Sequence, residues 1–441
     1  MAGLKYNILF KVGAIIVIAI LLLIPTTMIH SLINERKSTQ EAAIEEVSSK
    51  WSEAQTITGP YLSIPYYKYV KERSQKDSVD RLIKVKDYIT VLPNSLDITG
   101  NIDPEKRNRG IYEIAVYNST LHIRGTIDAL DFALLDVPSR EIQLDKAEFV
   151  MGITDLRGIE KQVVLNWNDK EFFFNPGVSA QNVISSGINA KLDTLRQDNQ
   201  YKFELALDLK GSQKIYFTPV GKVSNVSIAS PWTTPSFNGA FLPDSRSISE
   251  SGFTAKWNIL HLNRNYPQVW TGDQFSIEPS TFGIDLLLPV DNYLKSYRAL
   301  KYAILFIGFT FLAFFFIEVL NKIFIHPIQY ILVGVALVVF YSLLIAISEH
   351  LSFNLAFIIS SLSTLLLIAG YVKAVIKINR LVLVITGILF ILYSFIFVII
   401  QLEDYALLIG SIGIFIILGL VMYYSRKIDW YNLSLKENQE K

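Results

Sequence analysis

One carboxylate interrupts the run KYAILFIGFTFLAFFFIEVLNKIF, which is almost entirely apolar from Tyr302 to Leu320 apart from Glu318. An acid at the centre of a bilayer costs roughly 2.5–3.5 kcal/mol on insertion scales, so such a residue is either functional or placed where water reaches it. Glu318 stands three residues before Asn321 and four before Lys322. On a helix this spacing puts the side chains on one face and favours an ion pair with Lys322 near the end of the run. The alternative is a polar contact inside a helix bundle, or one step of an ion path. Two further pairs, Glu349 with His350 and Glu403 with Asp404, occupy short loops between apolar runs. An acidic ring carrying an imidazole could sense pH or admit cations; the same residues also suit solvated loop ends. Ser360, Ser361, Ser363 and Thr364 give one apolar run a small, polar face, a pattern typical of close helix packing.

Other chemistries lack support. The 441 residues contain no cysteine, which excludes disulfides, thiolate nucleophiles and thiolate metal sites. The five histidines are scattered singly, without metal-ligand spacing. No P-loop, GxGxxG, GxSxG or HExxH motif occurs. The expectation is a protein that is not an enzyme and needs no cofactor. A net charge of +1, with no basic run interleaved with aromatics, gives no reason to bind nucleic acid.

The elements that must position these residues are membrane spans. With 51% hydrophobic and only 18% charged residues the chain is too apolar for an ordinary soluble protein. Ile8–Ile33 exceeds the roughly 20 apolar residues a span needs, and is longer than a signal peptide's core of roughly 7–15. It reads as an uncleaved anchor that Pro25 could kink. Five more runs follow, at Tyr302–Leu320, Pro327–Ser348, Leu351–Val372, Leu381–Leu402 and Tyr405–Tyr424. Their short connections require consecutive helices to be antiparallel neighbours.

Lys and Arg in short loops stay cytoplasmic. Lys5, Lys11, Lys322, Lys373, Lys377, Arg380, Arg426 and Lys427 all fall on one side, whereas the loops carrying Glu349–His350 and Glu403–Asp404 hold neither residue type. Both termini are therefore expected in the cytoplasm and residues about 34–297 in the periplasm. Tyr423, Tyr424, Trp430 and Tyr431 around Arg426 and Lys427 read as an interface anchor.

Between the spans, a helical lead-in, LINERKSTQEAAIEEVSSKW, gives way to period-two segments rich in Val, Ile, Tyr, Phe and Thr. These predict a mostly antiparallel β-sandwich or two stacked β-units, with the charged stretch NIDPEKRNRG at an exposed hairpin tip. The fold class is thus a polytopic α-helical membrane protein of six spans, one plus five, with a large, mainly antiparallel β domain between the first and second. Its parts are residues 1–33, 34–297 and 298–441.

KYAILFIGFTFLAFFFIE, HPIQYILVGVALVVFYSLLIAISEH and IDWYNLSL resemble the C-terminal membrane portion of the CreD family of bacterial inner-membrane proteins. GPYLSIP from Gly59, PWTTPSFNGAFLP from Pro231 and SESGFTAKW from Ser249 are similar to that family's periplasmic segments in the same order. The resemblance implies a Gram-negative inner membrane, a role in envelope integrity and tolerance of envelope-directed stress, and expression under the two-component system of the same name. It carries no catalytic residues. The expected partners are the lipid bilayer and a periplasmic protein or envelope component bound by the β domain; the competing expectation is a transporter or channel formed by the bundle.

Overall fold

The computed structural model describes residues 8–73, 80–132, 135, 137–180, 183–193, 195–288, 292–402 and 405–426. The chain divides into two compact units, Met1–Glu41 with Val290–Lys441, and Ala42–Pro289.

Six described helices are long and apolar enough to cross a membrane. The first begins as α1 (Ile8–Leu21) and continues as α2 (Leu23–Trp51). The interruption, at Leu22, falls three residues before Pro25. A proline offers no N–H to the carbonyl four residues back and crowds it, so the ladder opens at Leu21. Beyond it, α2 runs unbroken through the lead-in to Trp51.

α3 (Asn292–Lys301) is a short amphipathic helix that buries Tyr293, Ser296, Ala299 and Leu300. It occupies residues that the sequence assigned in part to the β domain, and it lies in the helical unit. The remaining spans are α4 (Ala303–Asn321), α5 (Pro327–Ser348), α6 (Phe353–Ile376), α7 (Asn379–Gln401) and α8 (Ala406–Ser425), each packed on the next. α1 packs against α4 and α5. At Gly334 of α5 a Cβ would stand 2.2 Å from Leu22 Cδ1 and 2.9 Å from Phe311 Cζ, so glycine is what admits this approach.

Ala42–Pro289 holds two sheets. One runs Pro235–Gly239, Phe282–Leu286, Lys214–Thr218, Gln55–Arg73, Glu148–Ile153, Gly187–Lys191, Asn175–Pro176, with Asp80–Val91 also on Gln55–Arg73 and Val269–Thr271 beyond it. The other runs Ser245–Ser249, Gly252–Leu260, Val223–Ser230, Ser95–Arg109, Tyr112–Ile127, Tyr201–Ser212, Val164–Trp167, Lys170–Phe173. Both are mixed: Gln55–Arg73 pairs in parallel with Lys214–Thr218, and Ser95–Arg109 with Val223–Ser230, while the other pairings are antiparallel. Alternation is the cause of the layering. In Tyr201–Ser212, Tyr201, Phe203, Leu205, Leu207 and Leu209 are buried while Lys202, Glu204 and Ala206 face out.

The inner faces meet as a sandwich around one core. Phe149 of the first sheet packs with Trp167 and Phe203 of the second at ring separations of 5.2 and 5.0 Å, and Phe282 of the first with Trp257 of the second at 5.3 Å. The stretch expected at a hairpin tip is mostly strand: Ser95–Arg109 pairs with Tyr112–Ile127 along its whole length, and the turn is confined to Gly110 and Ile111. Burial stops alternating there: from Glu105 to Arg109 every residue is exposed, so strand pairing continues through the charged residues without an apolar face.

The C-terminal end of α2, from Ala42, belongs to this unit and is held within it by polar contacts. Glu46 receives Arg109 in a bidentate pair (3.0 and 2.9 Å) and Lys50 at 2.7 Å. Asp155 accepts from Ser52 Oγ, the Glu53 amide and Arg157. Burial alone would raise the Asp155 pKa, but the hydrogen bonds from Arg157 and the two amides outweigh it and hold the carboxyl at about 2.

Candidate functional site

Glu318 lies on the last turn of α4 and is only 6% exposed. The following residue that could have paired with it, Lys322, has φ of 53°. A left-handed residue ends the helix, so the one-turn spacing no longer places the Lys322 side chain over Glu318, and Lys322 is exposed. The chain then folds back, and the Ile325 amide donates to Glu318 Oε1 at 3.2 Å.

The partner is Lys11. Its ammonium, 7% exposed, donates to Glu318 Oε1 and, at 2.9 Å, to the Ile325 carbonyl, and it sits 4.4 Å from the centroid of the Phe324 ring. Tyr330 Oη of α5 donates to Glu318 Oε2 at 2.9 Å. One carboxylate therefore ties α1, α4, the connecting loop and α5 together, with both of its oxygens occupied. The favoured sequence pairing with Lys322 is replaced by a polar contact inside the bundle. The geometry needs the loop to be short and the next helix to start firmly. Pro327 opens α5, His326 Nδ1 accepts from the Ile328 amide, and Gln329 Oε1 accepts from the His326 amide.

Glu349, after the other end of α5, is half-buried rather than solvated. Tyr293 Oη of α3 donates to Glu349 Oε1 at 3.1 Å and Arg36 Nε of α2 stands 3.6 Å from the same oxygen. Asn292 supports the turn by donating to the Ser348 carbonyl at 2.6 Å. His350 is exposed, its amide donating to the Ile347 carbonyl. Glu403 and Asp404 lie outside the described residues, as do Lys427, Trp430 and Tyr431. Among the described residues no group of three His, Asp or Glu side chains is placed to hold a metal ion.

Sequence reasoning missed Lys11, Tyr330, Arg36 and Tyr293. Lys11 carried a signal of its own, a cation inside an otherwise apolar run; nothing in the local sequence marks Tyr330, Arg36 or Tyr293 as partners.

The β domain presents a second candidate, the outer face of the sheet that contains Ser95–Arg109. Register aligns three polar rows across it. Asn258 donates to Asn225 (2.6 Å), Asn225 donates to Asp97 (2.8 Å), and Arg124 stands 3.9 Å from Asp97. In another row Thr120 donates to Asp208 at 2.8 Å; the hydrogen bond from Lys161, then that from Thr120, lowers the Asp208 pKa. Between them Lys256, Ser227, Thr99 and His122 lie side by side. The small side chains of the parallel central pair leave three adjoining depressions of about 340, 410 and 420 Å³.

Comparison with known proteins adds to this geometry. A family model described as Inner membrane protein CreD matches residues 7–431. The chain belongs to the CreD family. It is 33% identical to the Inner membrane protein CreD of Escherichia coli (strain K12) over 442 residues, covering 98% of this chain and 96% of that one. This agrees with the resemblance seen in the sequence, and with six apolar helices it makes the chain a multi-pass inner-membrane protein of the CreD family. Two solved structures of an M1 zinc metallopeptidase from Deinococcus radiodurans, one a mutant with a Tyr-Ser-Ala substrate, align at 10% identity and a TM-score of 0.19, covering 38% and 44% of this chain and 39% and 42% of theirs. A likeness of that size carries no argument for this CreD-family chain.

Proposed function

We propose that this protein supports cell-envelope integrity and tolerance of envelope stress, with both termini in the cytoplasm and the β domain in the periplasm, where it binds a polar envelope component or partner protein without catalysing a reaction. The single observation that carries this reading is the open polar face of the second sheet. Its central row of Lys256, Ser227, Thr99 and His122 offers donors and acceptors to an extended polar chain, between rows whose hydrogen bonds already fix their own side chains. Family membership supports the envelope role, and the charge distribution of the short loops supports the orientation.

The test is complementation of a deletion strain under envelope stress with Thr99→Trp and Ser227→Trp, at matched membrane levels. Both positions project from the outer face, so the sandwich core is left intact. Loss of tolerance supports binding at this face, and full rescue by both variants refutes it. A second reading, transport by the bundle, is favoured by the buried Lys11–Glu318–Tyr330 contact. It requires ion or solute flux through the purified chain in proteoliposomes, lost on Glu318→Gln.

A further inference from the structure

The adjoining depressions on the outer face of the second sheet form a trough along two interior strands. Its floor is the parallel pair Ser95–Arg109 and Val223–Ser230, where Thr99 stands opposite Ser227 and Asn101 opposite Ala229. Lys256 and Thr254 flank it on one side, His122 and Thr120 on the other. At one end the hydrogen bonds from Asn258 to Asn225 and from Asn225 to Asp97 cross the floor and hold it. From Asp97 to Asp103 the floor is roughly 20 Å long, at about 3.3 Å per residue.

The chemistry of this lining narrows what can lie there. Among the described residues, none of the exposed large apolar side chains lines the trough, so it lacks the anchors that lipid chains and protein hot spots use. Its charges are balanced, with Lys256 and Arg124 beside Asp97, Asp103 and Asp244, whereas a polyanion is held by an excess of Lys and Arg. An extended peptide adds to a sheet by pairing main chains at an edge. Both floor strands are interior, with a neighbour on each side, and have no edge to give.

What the trough offers is hydroxyl and amide side chains, on Thr99, Asn101, Ser227 and Thr254, that both donate and accept. A sugar ring carries the complementary set of hydroxyls. The short floor side chains let such a ring approach the sheet, and successive outward residues of one strand, about 6.6 Å apart, repeat the same groups along the trough. We infer that the trough binds an extended, neutral glycan chain, running along the floor strands with its hydroxyls on Thr99, Asn101 and Ser227 and with Lys256 and His122 at its sides. The inference rests on the reading of this face as the binding surface and adds the class of ligand.

The experiment is saturation-transfer difference NMR of the full chain in nanodiscs with two neutral probes, cellotetraose and N-acetylated chitotetraose, and with polygalacturonate as a polyanion. The expected result is transfer to at least one neutral tetrasaccharide that falls several-fold in Thr99→Trp and Ser227→Trp, which fill the trough. Lys256→Ala, a milder change that removes one donor, should weaken it too, while Leu262→Trp, at a position 80% exposed and outside the trough, leaves it unchanged. No transfer to either neutral probe, equal transfer in the parent and the trough variants, or transfer confined to the polyanion overturns the inference. Loss of tolerance in the complementation test without a sugar signal would overturn the glycan alone and leave binding at this face standing. Full rescue by the trough variants would instead overturn the role of the face in tolerance, whatever it binds.

Discussion

The Lys11–Glu318 pair makes a prediction whose size follows from its surroundings. Replacing Lys11 by Met keeps the side chain's length and leaves a buried carboxylate with only the Tyr330 hydroxyl and the Ile325 amide; replacing Glu318 by Met leaves a buried ammonium with the Ile325 carbonyl and the Phe324 ring. Each single change is expected to cost about 3–5 kcal/mol, because one charge stays buried without its counter-charge. That is two to four decades in the unfolding equilibrium, roughly tenfold per 1.4 kcal/mol. Removing both charges orphans only the Tyr330 hydroxyl and the Ile325 backbone groups, so the double variant is expected to lose about 1–3 kcal/mol, less than either single. Lys322→Met, at an exposed position, is expected within about 0.5 kcal/mol of the parent. The described tryptophans all lie in Ala42–Pro289, so their fluorescence reports the wrong unit. A suitable assay is thiol accessibility of Ala356→Cys, buried on α6 in a chain that otherwise has no cysteine, across an SDS titration in mixed micelles. Additive losses in the double variant, or a loss at Lys322 equal to that at Lys11, would refute the assignment of Lys11 as the partner.

Other expectations are more local. Gly334→Val places atoms against Leu22 and Phe311 and should cost about 1–3 kcal/mol in the same titration; an unchanged midpoint would show that α1 is free to move off α5. Asp155, 8% exposed with its pKa depressed to about 2 from 3.8, contributes about 2 kcal/mol that is fully present above about pH 4 and lost as pH falls toward about 2. Asp155→Asn should therefore flatten the acid limb of the β domain's stability curve, followed by tryptophan fluorescence, and a limb of unchanged slope would exclude this carboxyl as its source. Trp257→Ala removes a ring packed against Phe237 and Phe282 and should lower the β domain's stability by about 3–5 kcal/mol in denaturant unfolding. For orientation, Lys256→Cys in cells should react with a membrane-impermeant maleimide while Lys377→Cys reacts only after lysis; the reverse pattern would invert the proposed topology.

The spans were legible because a bilayer demands about 20 consecutive apolar residues, a signal that needs no knowledge of neighbours. The sandwich was legible in kind for a similar reason, since Tyr201 to Leu209 alternates regardless of which strand lies beside it. Its strand order was not: the parallel pairing of Ser95–Arg109 with Val223–Ser230 joins segments more than a hundred residues apart, and nothing local encodes it. The same division explains the sites. Glu318 stood out as an anomaly in its own run, yet its partner sits 307 residues away on α1.

A local rule can also mislead when its premise fails. The one-turn spacing that pointed to Lys322 holds only while the helix continues, and the left-handed residue at 322 ends it one position too soon. The chain gains from that ending. By stopping α4 there it brings the Ile325 amide and carbonyl back to the carboxylate and the ammonium, giving backbone groups at a helix end a use they would otherwise lack in an apolar surround. A charge pair inside a membrane protein is then less an isolated bond than the meeting point of several unsatisfied groups, each made tolerable by the others.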